Sequence, residues 1–485
     1  MPKSGKNNNI IVNKNQIFLA LILILSFFFR FYHLPSRFVF NQDQARDTIM
    51  SIYALKNQQP LLLGSAASAG PFNFGPIYHW LIAFSKIIIP GFMAPWLFFS
   101  FISSLAPLLF YQIGKNIKNQ TFALILAGIS CLASLAVKNS PDMLNTILVF
   151  YLTSLSFLFL SIYLKRPSSL NLFFLSFFIS LATTPHFQAL GLFSISLIIA
   201  IQNIKKPKRI LLMIFASLLA YLPNIIFDLD HNFAWSKSVF NYYTSGQSIY
   251  YYPVRWLTDV FVFWPQLWGK TITLNNFLGY PLVILFILAF ILNLKKIKKN
   301  KMVNILILSF LFQIVLIRYY KGPRSEEYFF TFIAFFIFLT AWSLYQIVGQ
   351  KKLLGSVLTI FLISFVLYQN YQLINQKNSQ APIILDIKKD IETKTGQNKF
   401  SYYTLSGSHM LNMPLFYLLY DNHQISPGAY KIGTCKIEAD NSCPDSQFIL
   451  SHRQNYIVYD LNQQNLEAYQ SLTPQIIYNW LYVNY

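Results

Sequence analysis

Three residues in the stretch "FNQDQARDTIM", Phe40 to Met50, have the types and spacing to do chemistry: Asp43, Arg46 and Asp47. Positions i, i+3 and i+4 share one face of a helix, so Asp43 can pair with Arg46 while Asp47 stands beside it. Two readings are open. One is a surface ion pair, which is common and weak. The other is a general base, a carboxylate kept ionised by a neighbouring cation and able to take the proton of an acceptor hydroxyl.

Further polar residues gather at other apolar-run ends. "RYYKGPRSEEYFF", Arg318 to Phe330, holds Arg318, Lys321 and Arg324 beside Glu326 and Glu327. Guanidinium and ammonium groups there suit a phosphate through charge-assisted hydrogen bonds; the alternative is pairing with the adjacent glutamates. "HFQAL" offers His186 and Gln188, although a single histidine at a helix end is most often a structural hydrogen-bonder. "LPNIIFDLDHNF" adds Asp228, Asp230 and His231. Nothing fixes the spacing of these with His186 as a ligand set, so no metal and no cofactor is assigned, and a divalent metal is left open. Cys435 and Cys443 flank a polar loop and can bridge in an oxidising compartment, whereas Cys131 lies in an apolar run.

The elements that position these residues are membrane helices. The chain of 485 residues is 54% hydrophobic and only 11% charged, which excludes an ordinary soluble protein of this length. Its net charge of +21 sits in short clusters between apolar runs, a topology signal and not a nucleic-acid surface. The first apolar run, Gln16 to Tyr32, exceeds a signal-peptide core and lacks a small-residue cleavage site, which predicts a retained helix. Runs of roughly 20 apolar residues predict about eleven spans, near 16–33, 92–113, 121–138, 145–164, 170–185, 189–203, 209–227, 277–294, 302–318, 328–348 and 353–371.

One segment decides the topology. "GPIYHWLIAFSKIIIP", Gly75 to Pro90, is short, carries Lys86 and is bounded by prolines. If it lies on the outer surface without crossing, "GKNIKNQ", "LKRPSS", "IKKPKR", "LKKIKKNK" and "GQKK" all join the N-terminus in the cytoplasm, and all 17 Asp and Glu fall outside. Residues 76–90 are therefore expected to form an amphipathic surface helix with Tyr78 and Trp80 at the interface. The expectation is a multi-pass protein of the plasma (inner) membrane, N-terminus cytoplasmic and C-terminus extracytoplasmic. Long outer loops at 34–91 and 228–276 and a polar tail at 372–485 exceed the usual helix connection. In the tail, "APIILDIKKDIETKTG" reads as helix and "KFSYYTL" and "NYIVYDL" as strands, predicting a small α/β domain after a membrane domain of residues 1–371.

The first span followed by "DQARD", then "FGPIYHWL", "HFQALGLF" and "LPNIIFDLDHNF", resembles the GT-C superfamily of polyprenyl-phosphate-sugar glycosyltransferases over roughly residues 15–370. More narrowly it is similar to bacterial relatives of the protein O-mannosyltransferases and of the aminoarabinose transferase that modifies lipid A. The resemblance implies an inverting transfer in which Asp43 deprotonates a hydroxyl acceptor while polyprenyl phosphate departs. Gln44 stands where the family usually carries glutamate, which leaves Asp47 as a candidate second carboxylate. Arg46, Arg255, Lys321 and Arg324 are the candidate donor-phosphate ligands. Tyr78, His79, His186, Gln188, Asp228 and Glu326 are the candidate substrate-binding residues. A transporter, or a polymerase or ligase acting on lipid-linked glycans, is the alternative; a carrier would place its ionisable groups near the bilayer midplane.

Overall fold

The computed structural model describes residues 14–68, 70–244, 255–320, 324–377, 379–405, 413–436, 449–453, 456–463 and 469–480. Six helices are long and apolar enough to cross a membrane: Lys14–Phe31, Ala94–Ile117, Asn145–Lys165, Lys301–Arg318, Thr331–Gln350 and Lys352–Ile374. Pro207–Ala220 and Leu222–Asp230 make a seventh if taken together, bent by 67° at their junction. Pro223 lies in the first turn after the bend, where its missing amide proton costs nothing. Shorter apolar helices, Gln120–Leu132, Ser169–Thr183, Phe187–Gln202 and Gly279–Leu292, occupy the other places where spans are expected.

The bundle is layered around the Thr331–Gln350 helix, whose side chains from Thr331 to Leu344 are all buried. Phe335 meets Phe157 and Phe310 edge-on or tilted, and Phe336 stacks on Trp268 at 5.0 Å between ring centroids. Such aromatic pairs add to the van der Waals packing that must hold a membrane bundle together, because lipid removes the hydrophobic drive between helices. The Lys14–Phe31 and Lys352–Ile374 helices lie at the periphery, with most of their apolar side chains facing outward.

One predicted loop is otherwise. Within 228–276, the Trp264–Thr273 helix is sunk into the bundle, with Trp264, Leu267, Trp268 and Ile272 buried. The Trp268 indole donates to Thr340 Oγ1 at 2.8 Å. Its hydropathy is diluted by Gln266, Gly269, Lys270 and three threonine or proline positions, so an apolar-run reading passes over it. Gly269 and Gly279 let this helix approach the next: a Cβ on Gly279 would lie 1.6 Å from the Pro265 carbonyl oxygen.

The Ile77–Ile88 helix has the expected two faces. Tyr78, His79, Ile82 and Ser85 are buried, while Trp80, Phe84, Ile87 and Ile88 form an exposed apolar stripe. Tyr78 departs from the expected interface position. Its ring is 1% exposed and its hydroxyl donates to the Met143 carbonyl at 2.8 Å.

The C-terminal region carries a five-stranded mixed sheet in the order β3-β4-β2-β1-β5, formed by β1 (Phe400–Leu405), β2 (Tyr430–Lys436), β3 (Ile449–Arg453), β4 (Tyr456–Asp460) and β5 (Tyr469–Ser471). β1 and β2 are parallel, and the Met413–Asp421 helix lies on the crossover that a parallel pair requires. The expected Ala381–Thr395 helix precedes the sheet and ends at Gly396, whose φ of 62° is a left-handed cap. Cys435 is disulfide-bonded and Cys131 is free; Cys443 lies outside the described residues.

Candidate active site

The Gln42–Lys56 helix presents the acidic motif. Asn41 caps it by accepting from the Asp43 amide at 3.0 Å, and Asp43 in the first turn complements the positive helix end. Arg46 joins both carboxylates. Its Nη1 donates to Asp43 at 2.9 Å and its Nε to Asp47 at 2.8 Å.

The two aspartates have different surroundings. Asp47 is 4% exposed and also accepts from Ser65 Oγ at 3.0 Å. His79 sits against Ser51 at 3.0 Å and Ser65 at 3.3 Å, so a buried hydroxyl–imidazole network holds Asp47 from behind. Burial also holds the His79 imidazole below its ordinary pKa, which favours the neutral ring as a positioning group. The Asp43 side chain is 48% exposed and has Arg46 as its side-chain partner. Desolvation by the neighbouring chain raises its carboxyl pKa, with Arg46 opposing. Of the two, Asp43 is the carboxylate that an incoming molecule can reach.

Outside this helix, cations gather around two further carboxylates, Glu326 and Asp259. Glu326 is gripped by Lys138 and Lys270, each at 2.5 Å. Burial would raise the Glu326 carboxyl, but the two lysine bonds outweigh it and hold it below its usual value. Asp142, buried in the 139–144 turn, is pushed up to about 7 by desolvation against the pull of Lys138, the Val39 amide and Arg37. Arg324 pairs with Asp259 at 3.1 Å and stacks over Phe263 at 4.6 Å. Burial lowers the Arg324 pKa against the pull of Asp259, with the Arg255 and Arg318 charges adding to the burial effect, and Arg255 donates to the Tyr320 carbonyl at 3.4 Å. Of the three guanidiniums, Arg324 takes the Asp259 carboxylate, and Arg318 lies over the Trp256 ring at 5.4 Å. Lys321 lies outside the described residues.

Other expected ligands have local structural partners. Gln188 donates to the Glu327 carbonyl at 3.1 Å and accepts from the Thr331 amide at 3.2 Å, bracing the start of the central helix. His186 caps the Phe187–Leu192 turn by accepting from Gln188 N. Burial lowers its pKa to about 3, so the ring is neutral. Asp228 accepts from the Trp235 and Ser236 amides and from the Ser236 hydroxyl, which caps the Ala234–Thr244 helix. Among the described residues, no group of three or more His, Cys, Asp and Glu could hold a metal ion.

A cavity of about 410 Å³ opens beside loop 64–75 and reaches Tyr320, whose carbonyl accepts from Arg255. Its walls are mostly aromatic, including Phe72, Phe187, Tyr242, Tyr320 and Tyr328, with His186 stacked on Tyr328.

No known family profile matches the chain, and no curated protein matches it in sequence. Solved structures do match. ArnT from Cupriavidus metallidurans, bound to undecaprenyl phosphate, is 11% identical with a TM-score of 0.59, over 91% of this chain and 97% of that one. The apo form gives 9% identity and 0.60 over the same shares. The fold is that of these ArnT structures. The oligosaccharyltransferase of Archaeoglobus fulgidus, in complex with zinc and sulfate, is 10% identical with a TM-score of 0.50, over 86% of this chain and 67% of its own.

Within this fold, Arg37, Lys138, Asp142 and Lys270 carry no local sequence pattern that marks them as site residues. One signal was available. Lys138 and Lys270 stand among the acids and not with the inner clusters, as Arg255 and Arg324 do. Their shared contact with Glu326, 188 positions from Lys138, could not be read from spacing.

Proposed function

We propose that this protein is an inverting membrane glycosyltransferase that moves a sugar from a polyprenyl-phosphate carrier to a hydroxyl acceptor on the outer face of the membrane. The observation that carries the reading is the exposed Asp43 carboxylate, anchored through Arg46 to a buried Asp47. Asp43 accepts the acceptor's proton as its oxygen attacks the anomeric carbon, and the bond to the phosphate oxygen breaks on the opposite side. Charge that develops on the departing phosphate is met by Lys138, Lys270, Arg324 and Arg255, which stand in place before the reaction begins. The phosphate leaves as an anion, so no strong acid is required.

Support for a lipid-linked donor comes from the fold shared with ArnT, from the undecaprenyl phosphate held by the ArnT structure, and from the aromatic chamber at loop 64–75. Residues 1–371 act as the membrane catalytic domain and 372–485 as an extracytoplasmic domain. The decisive assay offers purified enzyme a panel of polyprenyl-phosphate sugars, hexosyl and pentosyl, with lipid and peptide hydroxyl acceptors. Anomeric inversion with one donor supports the reading; no transfer from any lipid-phosphate donor defeats it.

The orientation has its own test. Cysteines placed at the exposed positions Ser68 and Thr244 should react with an impermeant reagent from outside, and those at Asn119 and Gln350 should not. Labelling at Asn119 would mean that Ile77–Ile88 crosses.

A further inference from the structure

The end of the bundle away from Asp43 holds a second cavity, of about 430 Å³. The Asn145–Lys165 helix starts just after the Asp142 turn and delivers Lys165 to this cavity, ~30 Å away at ~1.5 Å per residue. Lys118, Lys165, Lys296 and Lys301 line it from four separate helices or helix ends. No Asp or Glu lines it, and none of the four lysines makes an ion pair among the described residues.

Its floor supplies neutral donors. Trp342 is 3% exposed, and neither its indole N–H nor the Gln346 amide bonds to a protein group among the described residues. The Lys301–Arg318 helix also begins here: Asn300 caps it by accepting from the Val303 amide at 3.2 Å, and residues 300–303 all line the cavity. The positive end of an 18-residue helix is thus added to the lysines.

Topology alone does not explain this arrangement. Holding a loop on one side of a membrane requires positive charge near the span ends; it does not require charges to converge from several elements on one cavity. Like charges so placed repel unless an anion lies between them. We propose that this cavity is a binding site for a phosphate ester, separate from the catalytic centre. Ile117, Phe122, Leu164 and Val303 line it as well, and would accommodate the apolar part of a phospholipid. The same donors would also take a free phosphate compound.

The test uses the full chain and the exposed pair Lys165→Gln/Lys301→Gln, which lies outside the packed core. Native mass spectrometry follows extraction from phosphatidylglycerol or phosphatidylcholine vesicles, and a calorimetric titration of inorganic phosphate is run on the phosphatidylcholine sample. Wild type should retain phosphatidylglycerol, and the double variant should retain it at least about tenfold less well, since each lost charge-assisted bond contributes on the order of a decade. Phosphate binding without lipid retention, again lost in the variant, would support the site and assign it to a soluble ester. Trp342→Phe, which removes one donor and keeps an aromatic ring, should weaken whichever ligand binds. Equal binding of both probes by wild type and double variant overturns the proposal.

Discussion

The two ends of the helix bundle carry positive charge in opposite ways. At the Asp43 end, bases are interleaved with acids: Arg46 spans Asp43 and Asp47, Lys138 and Lys270 share Glu326, and Arg324 takes Asp259. At the far end, Lys118, Lys165, Lys296 and Lys301 stand with no carboxylate among them. The difference separates two uses of charge. Paired ions fix side chains before any ligand arrives, which is what a site stabilising a developing charge needs. Unpaired lysines satisfy topology and remain available to whatever anion approaches.

The strongest way to break this comparison is Asp43→Asn. It keeps the shape and the bond from Arg46 but removes the base, so turnover should fall by about two to four orders of magnitude with donor binding intact, measured by single-turnover transfer and direct donor titration. Normal turnover would remove Asp43 from the role. Asp47→Asn should act mainly on the fold. It leaves the half-buried Arg46 with a single carboxylate and strips a buried pair, which typically costs about 3 kcal/mol, visible as a lower unfolding midpoint. Loss of all turnover in a fully folded Asp47→Asn sample would move the catalytic carboxylate one turn along the helix.

Donor affinity sharpens the contrast among the bases. If the proposed donor site holds, Lys270→Met or Arg324→Gln should weaken donor binding about ten- to a hundredfold, the loss expected for one charge-assisted bond to phosphate. The same measurement on Lys165→Gln should show no change. The smallest effect is a pH dependence. Asp142 has a folded pKa of about 7, against ~3.9 for an unfolded aspartate. Between these values the folded chain holds the extra proton, so the contribution of Asp142 to stability is full at low pH and is lost as pH rises toward 7. Melting of wild type relative to Asp142→Asn should therefore decline from pH 4 to pH 7; a flat difference would place the Asp142 pKa elsewhere.

What the sequence disclosed follows from distance along the chain. The Asp43–Arg46–Asp47 face, the two-faced helix Ile77–Ile88 and the strands at Phe400 and Tyr456 all rest on patterns within one element, and the structure contains each of them. The grouping of Lys138, Lys270 and Glu326 joins three distant segments, so periodicity carries no trace of it. The buried Trp264–Thr273 helix is missed for another reason: its depth comes from glycine-mediated contact and tryptophan, not from a long apolar run. Tyr78 has the composition of an interfacial residue, yet an anchoring bond to Met143 places it inside. For Gln188 and Asp228, residue type suggested ligands, while the local backbone claims their hydrogen bonds.

The Gln42–Lys56 helix packs against two helices from the far C-terminal region, Met413–Asp421 and Pro474–Asn479. Tyr53 meets Tyr478 at 5.0 Å, and Lys86 from the neighbouring surface helix pairs with Asp421 at 2.5 Å. The polar tail is thus a wall of the housing around the proposed base. Its heredity is constrained accordingly: a tail exchanged from a distant relative, or a chain ended near residue 371, would leave the acidic helix without its fitted partner. Recombination between such proteins should then succeed only when both segments travel together.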